Sequence, residues 1–372
     1  MDNVKAKIKR VRRTLKDRKE PDRIPIHDFF WEEFLDRWTE EMGLPADTNI
    51  YEYYDMDMMV LTPIWDPILR PFKTVERTEH HIIYEDGFGA TIKKLKDVSS
   101  YQYQDFKYKD LADLEKFDYD DPLDEARYSG SPNLISHGKV VGLPSFEESV
   151  KSNKNKFCLF GSILEGHEAI WRIHGSKETL MDLALYPGRM KKEVARVGDF
   201  MLKIAMKQLE TDGIEGMVIW GDVAYKNGMM FSPAVWKEIF YPVLKKMCNE
   251  IKKYDIPIVY HGCGNSEAIF EDLIEAGIDA YHPMEVKAGM DVVKFKEKYK
   301  DKCAYLGNID AENVLPGNLD ALKEDLLHRL KAAVGGGYMP GSDHSVPGNI
   351  SAENYDYFIR LIKKFGKYPL DI

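Results

Sequence analysis

Cysteine is scarce in this sequence, with four among 372 residues at Cys158, Cys248, Cys263 and Cys303. So few, so far apart, exclude a disulfide-stapled scaffold. Long hydrophobic runs are missing too: no stretch approaches the roughly 18 apolar residues that a membrane helix needs. The basic stretch from Met1 to Lys19 lacks the apolar centre of a secretory signal, so the expected location is the cytoplasm, with no membrane partner. Positive charge is in deficit, since 52 Lys and Arg face 62 Asp and Glu for a formal charge of −10. That balance excludes a general nucleic-acid binder, which needs a basic face. No glycine-rich nucleotide loop follows an early strand, and neither short-period repeats nor low-complexity tracts occur. What is present is apolar material for a full core, 44% of the residues,.

That material is arranged as strand alternating with helix. Gly216–Trp220 is an apolar run too short for a helix. Ser232-Pro233 after it gives a cap and a first-turn proline. Ile239, Val243, Met247 and Ile251 then recur at helical spacing,. Strand-like runs at Ile256–Tyr260, Ile278–Tyr281, Cys303–Leu306 and Tyr338-Met339 alternate with helices at Ser266–Ala276, Asp291–Lys300, Leu319–Val334 and beyond Ser351. Upstream, Ile24–Ile26, Met58–Leu61 and Phe157–Phe160 complete eight strands, with a helix over Met190–Leu209. Eight such units predict an α/β protein of the (β/α)8 (TIM) barrel class. A doubly wound open sheet is the rival. One domain is expected over residues 1–372, with an insertion between the second and third strands, residues 65–150. The insertion carries a predicted hairpin of His80–Tyr84 and Phe88–Leu95, and then loops and a short helix from Asp105 to Pro144.

In such a barrel, chemistry gathers where the strands end. The polar residues there are His27 and Asp28, Glu165, Asp222, His261 and Cys263, Glu285, Asn308 and Asp310, and Asp343 with His344. His261-x-Cys263 is the sharpest of them, because imidazole and thiolate are zinc ligands and a catalytic zinc needs one more protein ligand beside an open position. Glu165, Asp222 and Asp343 are candidates to complete the set. Glu285 equally suits helix capping or pairing with arginine, for which Asp222 is badly placed, ten residues before the Ser232 cap; Glu165 also suits an ordinary helix N-terminus, and Asn308 and Asp310 a tight turn. Phe29, Phe30, Trp31 and Trp65 after the first two strands suit either a core or a flat aromatic ligand.

Several motifs carry a resemblance: the segment Gly221–Leu244, HGCGN at 261–265, EVKAGMDV at 285–292, GNID at 307–310 and GGGYMPGSDHSVP at 335–347. In this order they resemble the uroporphyrinogen decarboxylase superfamily, itself built on a (β/α)8 barrel. True decarboxylases of that superfamily carry an arginine-rich motif after the first strand. Here His27-Asp-Phe-Phe-Trp31 stands there, with no arginine before Arg37. The resemblance is therefore to the corrinoid-dependent methyltransferase branch. Members that methylate thiols use zinc on a His-x-Cys pair and a later cysteine, which here is replaced by Ser342-Asp343-His344. The harder donor set, with the aromatic strand ends, points to the methyltransferase component of O-demethylases in anaerobic one-carbon metabolism.

The resemblance implies transfer of a methyl group from a methoxylated, aromatic donor to the Co(I) corrinoid of a partner protein, assisted by zinc. Asp222, Glu285 and Asn308 are the expected catalytic residues. His261, Cys263, Asp343 and Glu165 are the expected metal residues, and His27, Phe30, Trp31 and Trp65 would bind the donor. A metal-independent decarboxylase, a methyl-corrinoid to thiol methyltransferase and a non-catalytic binding barrel are the alternatives. A homodimer is left open.

Overall fold

A computed structural model describes residues 2–96, 101–130 and 133–372. Seven parallel strands form one curled sheet in chain order: β1 (Met58–Val60), β2 (Cys158–Leu164), β3 (Ile214–Trp220), β4 (Ile258–His261), β5 (Ala280–His282), β6 (Ala304–Ile309) and β7 (Tyr338–Ser342). Every neighbouring pair is parallel, and helices form the outer layer. The class is the expected α/β barrel.

The expected first strand is where the structure departs from eight regular strands. Ile24–Ile26 lies between β1 and β7 but makes no regular ladder, because Pro25 has no N–H to give,. Two carboxylates do the joining. Asp57 accepts from the Ile26 N–H at 2.8 Å, while its own N–H donates to the Ile26 carbonyl at 2.8 Å. On the other side Asp28 accepts from the Ser342 N–H, 3.2 Å from each oxygen. Asp57 is fully buried and is neutralised by Arg10 at 2.5 Å and Arg23 at 2.7 Å. Arg10 belongs to the N-terminal helix Asp2–Leu15, which also sends Val11 and Leu15 into the bottom of the ring.

The insertion is more ordered than expected. Its predicted hairpin is the centre of a four-stranded antiparallel meander, Lys73–Arg77, His81–Glu85, Ala90–Leu95 and Tyr101–Phe106. A second hairpin, Leu134–Ser136 with Lys139–Val141, lies in the stretch expected to be loops; residues 131 and 132 of that stretch lie outside the described residues. The remaining helices follow their sequence signals. Ser232, Asp291, Asn318 and Ser351 each accept an N–H from the turn they begin. The helix after Ser232 widens to a π turn at Trp236–Phe240 just before Pro242, whose missing N–H and bulky ring disfavour the regular pattern there,. No helix among the described residues is long and apolar enough to cross a membrane.

Inside the ring, alternation along the strands sets two layers. The lower one is apolar: Phe160, Val218, Val259, Ala280, Leu306 and Met339 pack with Val11 and Leu15. Two residues further along the strands stand Trp220, His261 and His282, adjacent in register. The barrel therefore changes from aliphatic packing to imidazole and indole side chains within one period of the strand.

Candidate metal centre at the barrel mouth

His261 ends β4 and is 8% exposed. Its ring packs on Trp220 (4.4 Å between centroids) and on His282 (4.8 Å), and the two histidine Nδ1 atoms lie 2.6 Å apart. That contact occupies Nδ1 and turns Nε2 toward Cys263 Sγ at 3.4 Å and Asp222 Oδ1 at 3.7 Å. One ligand atom from each of Asp222, His261 and Cys263 lies within 4.8 Å of the others. Zinc bonds of about 2.0 Å to nitrogen or oxygen and 2.3 Å to sulfur give tetrahedral edges of about 3.3–3.6 Å. The three side chains thus match a metal with three protein ligands and an open fourth position, and Asp222 is at the solvent side, 38% exposed.

The backbone holds this set in place. The Cys263 N–H donates to Asp222 Oδ1 at 2.8 Å, and the Gly264 N–H donates to Glu285 Oε2 at 2.6 Å. Gly264 has φ +79°, and a Cβ there would meet the Ala224 carbonyl oxygen at 2.5 Å, so the turn after Cys263 requires glycine,. His167 Nδ1 donates to the Asp222 carbonyl at 2.8 Å. Burial holds the imidazoles neutral, taking His261 down to about 3 and His282 well below the ordinary histidine value,. Neutral imidazole is the ligating form.

The other expected residues have different surroundings. Asp343 accepts the Val286 N–H on one oxygen (2.8 Å) and the Ala311 N–H on the other (2.9 Å), bracing two neighbouring loops; burial pushes it up to about 6. Glu165 caps the helix Gly166–His174 through Oε2, leaving Oε1 buried without a partner among the described residues, and burial raises it to about 8. Asn308 spends its amide on the Met284 and Met290 carbonyls (2.5 Å each) and on the Val292 N–H (3.0 Å). Glu285 holds Gly264 and faces Lys287 at 3.3 Å. Of the three candidates to complete the His-x-Cys pair, Asp222 is the one beside it.

Among the aromatic candidates, His27 lies in the lumen, with Nδ1 donating to the Met58 carbonyl at 3.0 Å and Nε2 buried without a partner among the described residues. Phe30 packs into the core against Phe34, Tyr51 and Tyr355. Trp31 stacks on His344 at 6.3 Å and lines a hollow of about 510 Å³ at the mouth, which Asp222 also lines. Trp65 donates its indole N–H to the Ser162 carbonyl at 2.9 Å and lines a second hollow beneath the meander.

Sequence reasoning missed His282, although it stands three residues before Glu285 at the end of a recognised strand. It also missed Glu168, Trp171 and Arg172, which line the mouth hollow from the helix after β2. Their signal was the i, i+4 pairing of Glu168 and Arg172, joined at 2.5 Å,.

The chain resembles a solved methyltransferase from Methanosarcina mazei at 16% identity and TM-score 0.64, over 95% of this chain and 99% of that one. It also aligns with a B12-independent methionine synthase from Shewanella sp. W3-18-1 at 11% identity and TM-score 0.46, over 93% of each chain. No curated protein matches significantly. The family model described as uroporphyrinogen decarboxylase (URO-D) matches residues 157–365, which run from β2 to the last helix and include the whole triad. The chain belongs to the uroporphyrinogen decarboxylase (URO-D) family.

Proposed function

We propose that this protein is a methyltransferase that removes the methyl group of a methoxylated, aromatic donor and passes it to the Co(I) corrinoid of a partner protein. The observation behind this is the Asp-His-Cys set at the mouth, with its geometry suited to zinc. The cations around it also favour a methyl donor over a porphyrinogen. A substrate with many carboxylates needs several free guanidiniums. Arg172 is the one arginine lining the mouth hollow, and its Nε and Nη2 are already given to Glu168 at 3.0 and 2.5 Å. The overall likeness to a methyltransferase fold is consistent with the same choice.

In this mechanism His261, Cys263 and Asp222 hold Zn²⁺. The metal supplies Lewis acidity, which helps a phenolate leave at neutral pH. The methyl–oxygen bond breaks as the methyl carbon bonds to cobalt, and the oxygen leaves as phenolate and takes a proton from solvent. His282 fixes the His261 ring so that Nε2 is the ligating nitrogen,. Glu285 and the Gly264 N–H keep the Cys263 turn rigid. Trp31 and His344 make a flat wall against which an aryl ring lies, next to Asp222. The corrinoid protein docks over the same mouth, so its interface is transient.

Zinc-loaded protein, a Co(I) corrinoid protein and methoxyarenes are mixed while cobalt absorbance is followed. Methylated corrinoid is expected, and Cys263→Ser and His261→Ala abolish it. Failure with every methoxylated donor overturns the proposal.

A further inference from the structure

Beneath the antiparallel meander is a hollow of about 270 Å³, separate from the triad and adjoining the mouth hollow, with which it shares Tyr101, Tyr103 and Arg172 as lining residues. Aromatic rings form its walls. Trp65 closes one side, and Phe72 stacks on Tyr84 at 5.1 Å with 26° between the planes. Set among them are two carboxyl groups, Asp66 (8% exposed) and Asp86 (5%).

Each carboxyl is anchored through one oxygen. Asp66 Oδ2 accepts the Gly87 N–H at 2.8 Å, and Asp86 Oδ1 accepts the Phe88 and Ala90 N–H groups at 3.0 and 2.9 Å. No hydrogen bond reaches the second oxygen of either group among the described residues. The nearby guanidiniums are engaged elsewhere. Arg172 is held by Glu168 and the Tyr103 hydroxyl, and Arg127 is spent on the carbonyls of Ile64, Asp66 and Pro67. Arg70 donates to the Asp86 main-chain carbonyl and not to its carboxyl. An acceptor left open at the wall of a hollow is a place where a ligand donor or a positive charge can sit. Burial raises Asp66 to about 6 and Asp86 to about 7, so each carboxylate lacks a full counter-charge, and a cation placed beside it would favour its ionised form,.

We propose that this hollow is the specificity pocket for the non-reacting end of the methyl donor, and that it takes a cationic nitrogen, an ammonium or N-methylated ammonium group. Ring faces carry the negative lobe of the aromatic quadrupole, and desolvated cation–π contact rewards a cation over a neutral group of the same shape. The free oxygens of Asp66 and Asp86 add the counter-charge. The mouth then presents the donor's methyl group to the triad, so the assignment to a donor rests on the proposed methyl transfer, whereas cation binding does not.

Calorimetric titration of the metal-free full chain with benzylammonium, benzyltrimethylammonium, benzyl alcohol and benzoate tests it. The two cations should bind roughly tenfold or more tighter than the alcohol, with benzoate weakest. Asp86→Asn and Asp66→Asn should each bring cation and alcohol within about threefold, with circular dichroism checking that both variants fold. Tighter binding of the alcohol or of benzoate by the wild type overturns the proposal, as does a cation preference that survives both substitutions. No binding of any probe at millimolar concentration also overturns it. Cation binding without any methyl transfer would leave the pocket standing and remove the methyltransferase. Methyl transfer from a methoxybenzylammonium donor that is unchanged in Asp86→Asn would do the reverse.

Discussion

The two layers inside the barrel are built by the same strands and differ in everything else. Val218, Val259 and Ala280 fill the lower layer, sealed by the N-terminal helix. Trp220, His261 and His282, two residues later, carry the upper one, in matched register. The lower layer is apolar, so its worth lies in area removed from water and in fit. The upper layer places two imidazole Nδ1 atoms 2.6 Å apart and borders the mouth, where Asp222, His261 and Cys263 converge. The separation of fold from function is therefore along the strand and not between domains.

Breaking the lower layer should cost the most. Phe160→Ala removes a fully buried ring and should destabilise by about 3–5 kcal/mol in urea titrations,. Asp57→Ala strips the seam between β1 and the irregular first segment, stranding Arg10, and should cost a similar ~3–5 kcal/mol,. A loss under about 1 kcal/mol in either would show that the seam and the lower layer do not carry the ring.

Substitution in the upper layer should separate stability from binding. His282→Phe removes the contact that orients His261, and zinc affinity should fall about 10–100-fold by competition with a chelator,. Rescue by His282→Asn, which keeps a polar partner for Nδ1, distinguishes orientation from simple loss of packing. Stability should also depend on pH. Burial lifts Asp28 to about 8, above its unfolded carboxyl value, so the folded state keeps a proton that the unfolded chain releases,. The associated stability is complete below about pH 4 and is lost as pH rises to about 8. Asp28→Asn should flatten that slope when urea midpoints are compared at pH 5, 6.5 and 8; an unchanged slope would place it on other groups.

Much of this was legible beforehand. Strand–helix alternation gave the class, because apolar runs and caps such as Ser232-Pro233 are local signals. Ile24–Ile26 was less so, since Pro25 and the carboxylate seam replace the ladder through contacts distant in sequence. His261 and Cys263 stood out by their spacing, but the choice of Asp222 over Asp343 and Glu165 depended on which acid the fold sets beside the pair. Asp343 instead braces two neighbouring loops, and Glu165 caps the first turn of a helix. His282 was hidden for a related reason: its meaning lies in cross-strand register with His261. The second hollow was invisible to sequence, because the meander that roofs it meets Trp65 and Asp66 only in space.

Metal analysis of the purified chain meets the central claim most directly. Wild type should carry one zinc per chain, retained in Asp343→Asn and Glu165→Gln and lost in Cys263→Ser and Asp222→Ala. Zinc that survives Cys263→Ser, or that leaves with Asp343→Asn while Asp222→Ala keeps it, would contradict the account.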